Sequence, residues 1–205
     1  MLAARREAAA TLGKTDVVLE VLDARAPHSS GNPDLESLRL KQQRPALKLL
    51  NKSDVADPLR TRLWLDHFAA IPGTSAVALS AKNAGEVGKL LARARELAPH
   101  RGTRLKPLRL MLLGVPNVGK STLMNALLKR RIAKVGDEPA VTKHQARHEL
   151  SQEVVLVDTP GMTWPRMHPE TGWRLAATYS IGRNAFDETE VAATLGTFLL
   201  AEYGT

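Results

Sequence analysis

Cysteine is missing altogether from the 205 residues of this chain. Disulfides and thiolate-held metals are thereby excluded, which fits a reducing cytoplasm. Aromatic residues are scarce as well, 4% of the chain within a hydrophobic share of 43%, so the core is expected to be aliphatic. No run approaches the ~20 apolar residues that cross a bilayer. No N-terminal stretch pairs a basic start with an apolar segment and a cleavage site, so no secretory signal is read. Acidic residues are in deficit: 21 Asp and Glu stand against 29 Lys and Arg, a formal charge of +8. A basic surface concentrates phosphate polyanions, although a solvated mixed-charge surface has the same composition. Arg101, Arg104, Lys106 and Arg109 form one basic cluster, and Lys129, Arg130, Arg131 and Lys134 another. Neither is interleaved with aromatics, so stacking of single-stranded bases is not indicated.

The length suits one domain of about 150 to 200 residues, or one domain and a fragment of another. Val17–Leu22, Ala46–Leu50, Ala76–Leu79, Leu108–Leu113 and Gln152–Asp158 read as short strands, several of them continuous apolar runs of the kind buried in parallel sheets. Asp57-Pro58 supplies a cap and first-turn proline for a helix carrying Leu59, Leu63 and Phe68. Val87, Leu90, Leu91, Ala94 and Leu97 recur at helical spacing, and a further helix is expected over Lys120–Lys129. Residues 98–107 look like a basic linker. Beyond Trp164 the pattern turns helical, over Leu175–Ile181 and Val191–Leu199, with Asp187, Glu188 and Glu190 at the start of the second helix. Alternating strands and helices imply a parallel sheet covered on both faces.

Gly114-Val115-Pro116-Asn117-Val118-Gly119-Lys120-Ser121 follows a predicted strand and opens a predicted helix. Glycines there let backbone N–H groups turn inward around an anion, and the helix start adds its positive end. Lys120 would reach the outer phosphates, and Ser121 would give Mg²⁺ an oxygen. Asn51-Lys52-Ser53-Asp54 chooses the base. The Asp54 carboxylate can accept two hydrogen bonds from guanine, whereas adenine offers no such pair. Asn51 can tie the base's other edge to the loop, the Lys52 stem can cover the ring, and backbone N–H groups of Ser80-Ala81-Lys82 would meet the guanine oxygen. Asp158-Thr159-Pro160-Gly161 fits a γ-phosphate sensor, Asp158 holding Mg²⁺ through water and the Gly161 amide contacting the phosphate. Thr142 is the expected second Mg²⁺ hydroxyl. Met162 stands where many GTPases carry a glutamine that orients the attacking water. The water-activating group is therefore unassigned, with His144, Gln145 and His148 as candidates beside the presumed switch. Taken singly, each motif could also be a plain turn.

The base reader precedes the phosphate loop, the reverse of the order in an ordinary small GTPase, which indicates a circularly permuted GTP-binding domain. The chain resembles the YlqF/RbgA family of circularly permuted GTPases over nearly its whole length. The likeness rests on Asp23-Ala24-Arg25-Ala26-Pro27-His28-Ser29-Ser30-Gly31-Asn32-Pro33, on Asn51–Asp54, Gly114–Thr122, Ile132–Asp137, and on Asp158–Gly161 with Trp164-Pro165.

The resemblance implies a GTP-hydrolysing assembly factor whose partner is the large ribosomal subunit precursor, its RNA and proteins. It also implies K⁺ dependence, with Asn117 as the K⁺ ligand. A histidine implicated in hydrolysis would lie just upstream of the segment matched by Met1, and the C-terminal helical domain would continue past Thr205. The resulting expectation is a three-layer α/β P-loop GTPase fold. Its six-stranded sheet runs from an edge strand near 145–150 through strands ending at Asp158, Leu113, Asp23, Leu50 and Leu79. Residues 1–165 form the GTPase domain and 166–205 begin a helical domain. The expected molecule is a cytoplasmic monomer that does not engage membranes. GTP-binding residues are Asn51, Lys52, Ser53, Asp54, Ser80, Ala81, Lys82, Asn117, Val118, Gly119, Lys120, Ser121, Thr122 and Gly161, with Lys120 and Thr142 serving catalysis. The alternative is a GTP-gated RNA- or protein-binding module with negligible hydrolysis.

Overall fold

A computed structural model describes residues 2–128 and 145–204. Six strands form one sheet: β1 (Val17–Asp23), β2 (Ala46–Asn51), β3 (Thr74–Leu79), β4 (Leu108–Leu113), β5 (Ala146–Ser151) and β6 (Val154–Asp158). They lie in the order β3-β2-β1-β4-β6-β5, all neighbours parallel except the β5–β6 pair. This is the expected order, from the edge near residue 145 to the strand ending at Leu79.

Strand periodicity explains the two cores. In β1 and β4, Val17, Leu19, Val21, Leu108, Leu110 and Leu112 point to one face, where they meet Val87 and Leu90, Leu123 and Leu175. Those partners come from helices α5 (Ala84–Gly88), α6 (Leu90–Glu96), α7 (Lys120–Leu128) and α8 (Pro169–Ala177). Val18, Met111 and Leu113 point the other way, onto Ala8, Leu12 and Leu35 of α1 (Leu2–Gly13) and α3 (Pro33–Lys41). Leu22 and Leu50 pack beside Phe68 of α4 (Pro58–Ala69). Because both faces are covered, the strands read as apolar runs rather than as alternation.

Several elements differ from expectation. The helix expected across 87–97 is divided into α5 and α6 at Gly88-Lys89. Within α4, Leu59 and Leu63 are 78% and 68% exposed, and the buried face is formed by Thr61 and Phe68, with Trp64 and Leu65 packed alongside. Helix α8 begins at Pro169, capped by His168, and ends before Tyr179, whose φ of 59° is left-handed. No residue of the last helix, α9 (Glu188–Tyr203), is buried. A short helix α2 (Pro27–Ser30), α1 and α3 were not anticipated.

Two polar residues interrupt the apolar inner face of the sheet. Lys48 of β2 is buried against Glu20 of β1, and its Nζ lies 3.1 Å from Glu36 of α3. Burial disfavours the Lys48 ammonium, but the two carboxylates outweigh it and its pKa is raised. Among the described residues, no helix is long and apolar enough to cross a membrane.

Candidate nucleotide-binding site

The carboxyl ends of β1, β2, β3, β4 and β6 converge on one edge of the sheet. In register, Asp23 pairs with Asn51, Asn51 with Leu79, and Leu112 with Asp158. The segments after these positions carry the motifs, and open α/β sheets bind ligands at that edge.

The phosphate loop leaves β4 at Gly114, whose φ of +150° brings it against β1. A Cβ at this position would stand 2.5 Å from the Val21 carbonyl oxygen. Gly119 has φ +101°, and a Cβ there would collide with Asn51 Nδ2. Asn117 itself is left-handed at φ 57°, a conformation asparagine tolerates. Its Nδ2 donates to the Tyr179 carbonyl at 2.8 Å, so the end of α8 touches the loop. Lys120 opens α7 and is buried, with Nζ donating to the Val115 carbonyl at 2.8 Å. Burial pulls its pKa down to about 8, partly offset by the nearby Asp158 carboxylate. Ser121 and Thr122 are half-buried in the first turn of α7.

At the base-reading end, Asn51 is buried and engaged at both ends of its carboxamide. Nδ2 donates to the Val118 carbonyl at 2.7 Å, and Oδ1 accepts from the Ala81 N–H at 2.8 Å. Asn51 thus ties the phosphate loop to the Ser80–Lys82 loop. The Ala81 amide expected at the guanine oxygen donates to Asn51 here, and the Ser80 amide donates to Glu86 at 2.7 Å. Lys52 has a left-handed φ of 61° and starts a 3₁₀ turn over Ser53–Val55. This turn projects Asp54 outward, and Asp54 and Lys82 are exposed.

Sequence reasoning missed the role of Asp23 and Arg25. Asp23 is fully buried, yet its carboxylate takes two bonds from the Arg25 guanidinium, at 2.9 and 2.8 Å, one from the Arg25 N–H at 3.1 Å and one from Lys52 Nζ at 2.9 Å. Burial alone would raise the Asp23 pKa; Arg25 and Lys52 reverse this and lower it. The Arg25 guanidinium is held by Asp23 and feels the Asp54 charge as well. The available signal was the Asp23-Ala24-Arg25 stretch at a strand end, which mattered only in the family resemblance.

Asp158 ends β6 and is buried, while Thr159 Oγ1 donates to the Leu112 carbonyl at 2.7 Å, sewing the turn to β4. Gly161 presses against the phosphate loop: a Cβ there would lie 2.8 Å from Pro116 N and 3.1 Å from Lys120 Nζ. Met162 packs against the apolar cluster beneath α1 and α3. Its side chain therefore serves the core. Gln145 accepts from Thr11 Oγ1 of α1 at 2.6 Å, and His148 lies opposite Leu156 on β6. Thr142 and His144 fall outside the described residues. Ser121 and Asp158 both offer oxygen, the donor chemistry Mg²⁺ takes alongside phosphate oxygens. No group of three or more His, Cys, Asp or Glu able to hold a metal occurs among the described residues.

A phosphate loop at the end of a central strand, beside a base-reading loop on the same sheet edge, defines a P-loop GTPase. Residues 109–193 match the model of the 50S ribosome-binding GTPase family. Ribosome biogenesis GTPase A of Priestia megaterium is 38% identical over 212 residues, covering 99% of this chain and 73% of that protein. The protein of the same name from Bacillus licheniformis is 38% identical, covering 99% and 74%. Short integuments 2, mitochondrial, of Arabidopsis thaliana is 34% identical over 94% of this chain and 53% of its own length. The chain belongs to the ribosome biogenesis GTPase A family, and it is a GTPase.

Proposed function

We propose that this chain binds GTP between the phosphate loop and the Asn51–Asp54 loop and hydrolyses it during assembly of the large ribosomal subunit. The observation that carries the reading is the Asn51 carboxamide, which holds Val118 and Ala81 together so that one nucleotide can span both loops. Lys120, the backbone amides of residues 117–121 and the start of α7 would stabilise the triphosphate as water adds to the γ-phosphorus and the bond to the β-phosphate oxygen breaks. Ser121 and Thr142, with Asp158 through a water, would hold Mg²⁺, which would supply further neutralisation of the phosphate charge. Asn117 would ligate K⁺. A circularly permuted domain is part of this reading, supported by the order of the motifs, with 51–54 preceding 114–121 in the chain. Residues 1–165 make the GTPase unit and 166–205 a helical segment, whose first helix, α8, packs Leu175 into the same core. The partner is the precursor of the large subunit, met by a monomer in the cytoplasm, and the +8 charge suits a phosphate-rich surface.

Phosphate release tests this reading, with and without large ribosomal subunits and in K⁺ or Na⁺ buffer. Stimulation by subunits in K⁺ is expected. A second reading is favoured by Met162, whose thioether packs on the core and cannot orient a water: GTP would then order the switch segments and gate docking, with negligible turnover. No stimulation under any condition, with nucleotide-dependent cosedimentation retained, would leave that second reading.

A further inference from the structure

The loop 30–33 joins α2 to α3 and lies against Met162, the residue after Gly161. Asn32, 3% exposed, caps α3: its Oδ1 accepts from Asp34 N at 3.1 Å and Leu35 N at 3.3 Å. With the oxygen committed to two N–H groups, the amide nitrogen must face the other way. There Nδ2 donates to the Met162 carbonyl at 3.1 Å.

Met162 is held from its other side too, its N–H donating to the Gly114 carbonyl at 3.4 Å. The residue that follows Gly161 is thus suspended between the phosphate loop and the head of α3. The anchor is stiff. The Asn32 N–H donates to Glu20 at 3.4 Å, Glu20 pairs with buried Lys48, and Lys48 reaches Glu36 on α3 itself.

We propose that Asn32 is the positioning residue of the γ-phosphate sensor. Its carboxamide, oriented by capping α3, grips the Met162 carbonyl and so sets where the Gly161 amide points. The inference rests on the reading of Gly161 as a γ-phosphate contact. Gly161 has little room to drift productively, because it already abuts Pro116 and Lys120. Positioning errors near 1 Å at such a contact are costly to rate. GDP has no γ-phosphate, so its affinity does not depend on this grip.

The test uses Asn32→Asp, which keeps the capping oxygen but turns an acceptor toward the Met162 carbonyl, and Asn32→Ser, which keeps a cap but lacks the reach. Affinities for GDP and a non-hydrolysable GTP analogue are measured, together with single-turnover hydrolysis and the melting temperature. Both variants are expected to bind GDP within about twofold of the parent, while analogue affinity and hydrolysis fall about tenfold, the scale of one lost hydrogen bond to a preorganised group. Equal weakening of both nucleotides, or of neither, overturns the proposal. Gly161→Ala separates it from its premise. If that variant keeps the parent's preference for the analogue over GDP, the γ-phosphate reading itself fails. If Gly161→Ala loses the preference while the Asn32 variants keep it, the role given to Asn32 alone is wrong.

Discussion

Asn51, which closes β2, donates through Nδ2 to the Val118 carbonyl at 2.7 Å, joining residues 67 positions apart in the chain. The same side chain receives the Ala81 N–H. One buried carboxamide therefore couples the 114–121 loop to the ends of β2 and β3. Asn51→Ala leaves a buried carbonyl and a buried N–H unsatisfied, an expected cost of about 2–4 kcal/mol. A lower melting temperature and GDP affinity reduced more than tenfold are expected by thermal melts and fluorescence titration. An unchanged melt would show that the coupling carries no energy.

If Lys120 meets the phosphates, nucleotide binding should depend on pH. Burial lowers its pKa from 10.5 to about 8. The charged form is thus penalised in the folded protein, and stability from this group improves as pH rises through 8 toward 10.5. Phosphate beside Nζ restores the ammonium. Nucleotide binding at pH 8 should accordingly take up about half a proton, seen by calorimetry in buffers of different ionisation enthalpy. Affinity should decline as pH is raised above 8. Proton release on binding would contradict this account.

Lys120→Met removes the buried charge while keeping the length of the stem. Nucleotide-free protein should gain about 1 kcal/mol, because the penalised ammonium is gone, although the Val115 carbonyl loses its partner. GDP and GTP affinity should drop at least a hundredfold, the scale of a lost charge-assisted phosphate contact. Destabilisation accompanied by intact binding would place Lys120 away from the phosphates.

Asp54 is exposed on the 3₁₀ turn after Lys52 and is free of the core. Asp54→Asn should leave the melting temperature within a degree or so, since surface changes cost under about 0.5 kcal/mol. It should also weaken GTP and improve xanthosine triphosphate, whose base offers a carbonyl to the new amide. Unaltered GTP affinity would remove Asp54 from base reading.

Asn117 is the residue proposed to ligate K⁺, and its Nδ2 donates to the Tyr179 carbonyl at 2.8 Å. If K⁺ binds there, hydrolysis should rise in K⁺ over Na⁺, and Asn117→Ala should abolish that difference. A K⁺ effect that survives the substitution would place the ion elsewhere.

Much of the architecture was legible because strong local signals coincided with strand ends. The apolar runs ending at Asp23, Leu50, Leu113 and Asp158 marked parallel strands, and the motifs that follow them gather at one sheet edge. What escaped had weak local signals. Helix α1 is rich in alanine and lacks a clear apolar stripe, so Ala8 and Leu12 became core residues through packing alone. In α4, Leu59, Leu63 and Phe68 carried the expected pattern; Phe68 is buried as expected, but Trp64 and Leu65 pack beside it while Leu59 and Leu63 are exposed. The Asp23–Asn32 stretch gave no period. Its purpose depends on partners far away in the chain: Lys52 for Asp23 and Met162 for Asn32.

The residues alone determined which chemistry this protein can perform, since phosphate and guanine recognition need glycine, lysine, carboxylate and amide groups at short fixed spacings that are visible along the chain. Only the tertiary structure decided which of those groups face one another. The carboxamide of Asn51 is spent on backbone, the carboxylate of Asp23 on Arg25 and Lys52, and the thioether of Met162 on the core. Those assignments arise because burial makes each polar group seek the nearest partner that packing offers. That partner usually lies outside its own motif.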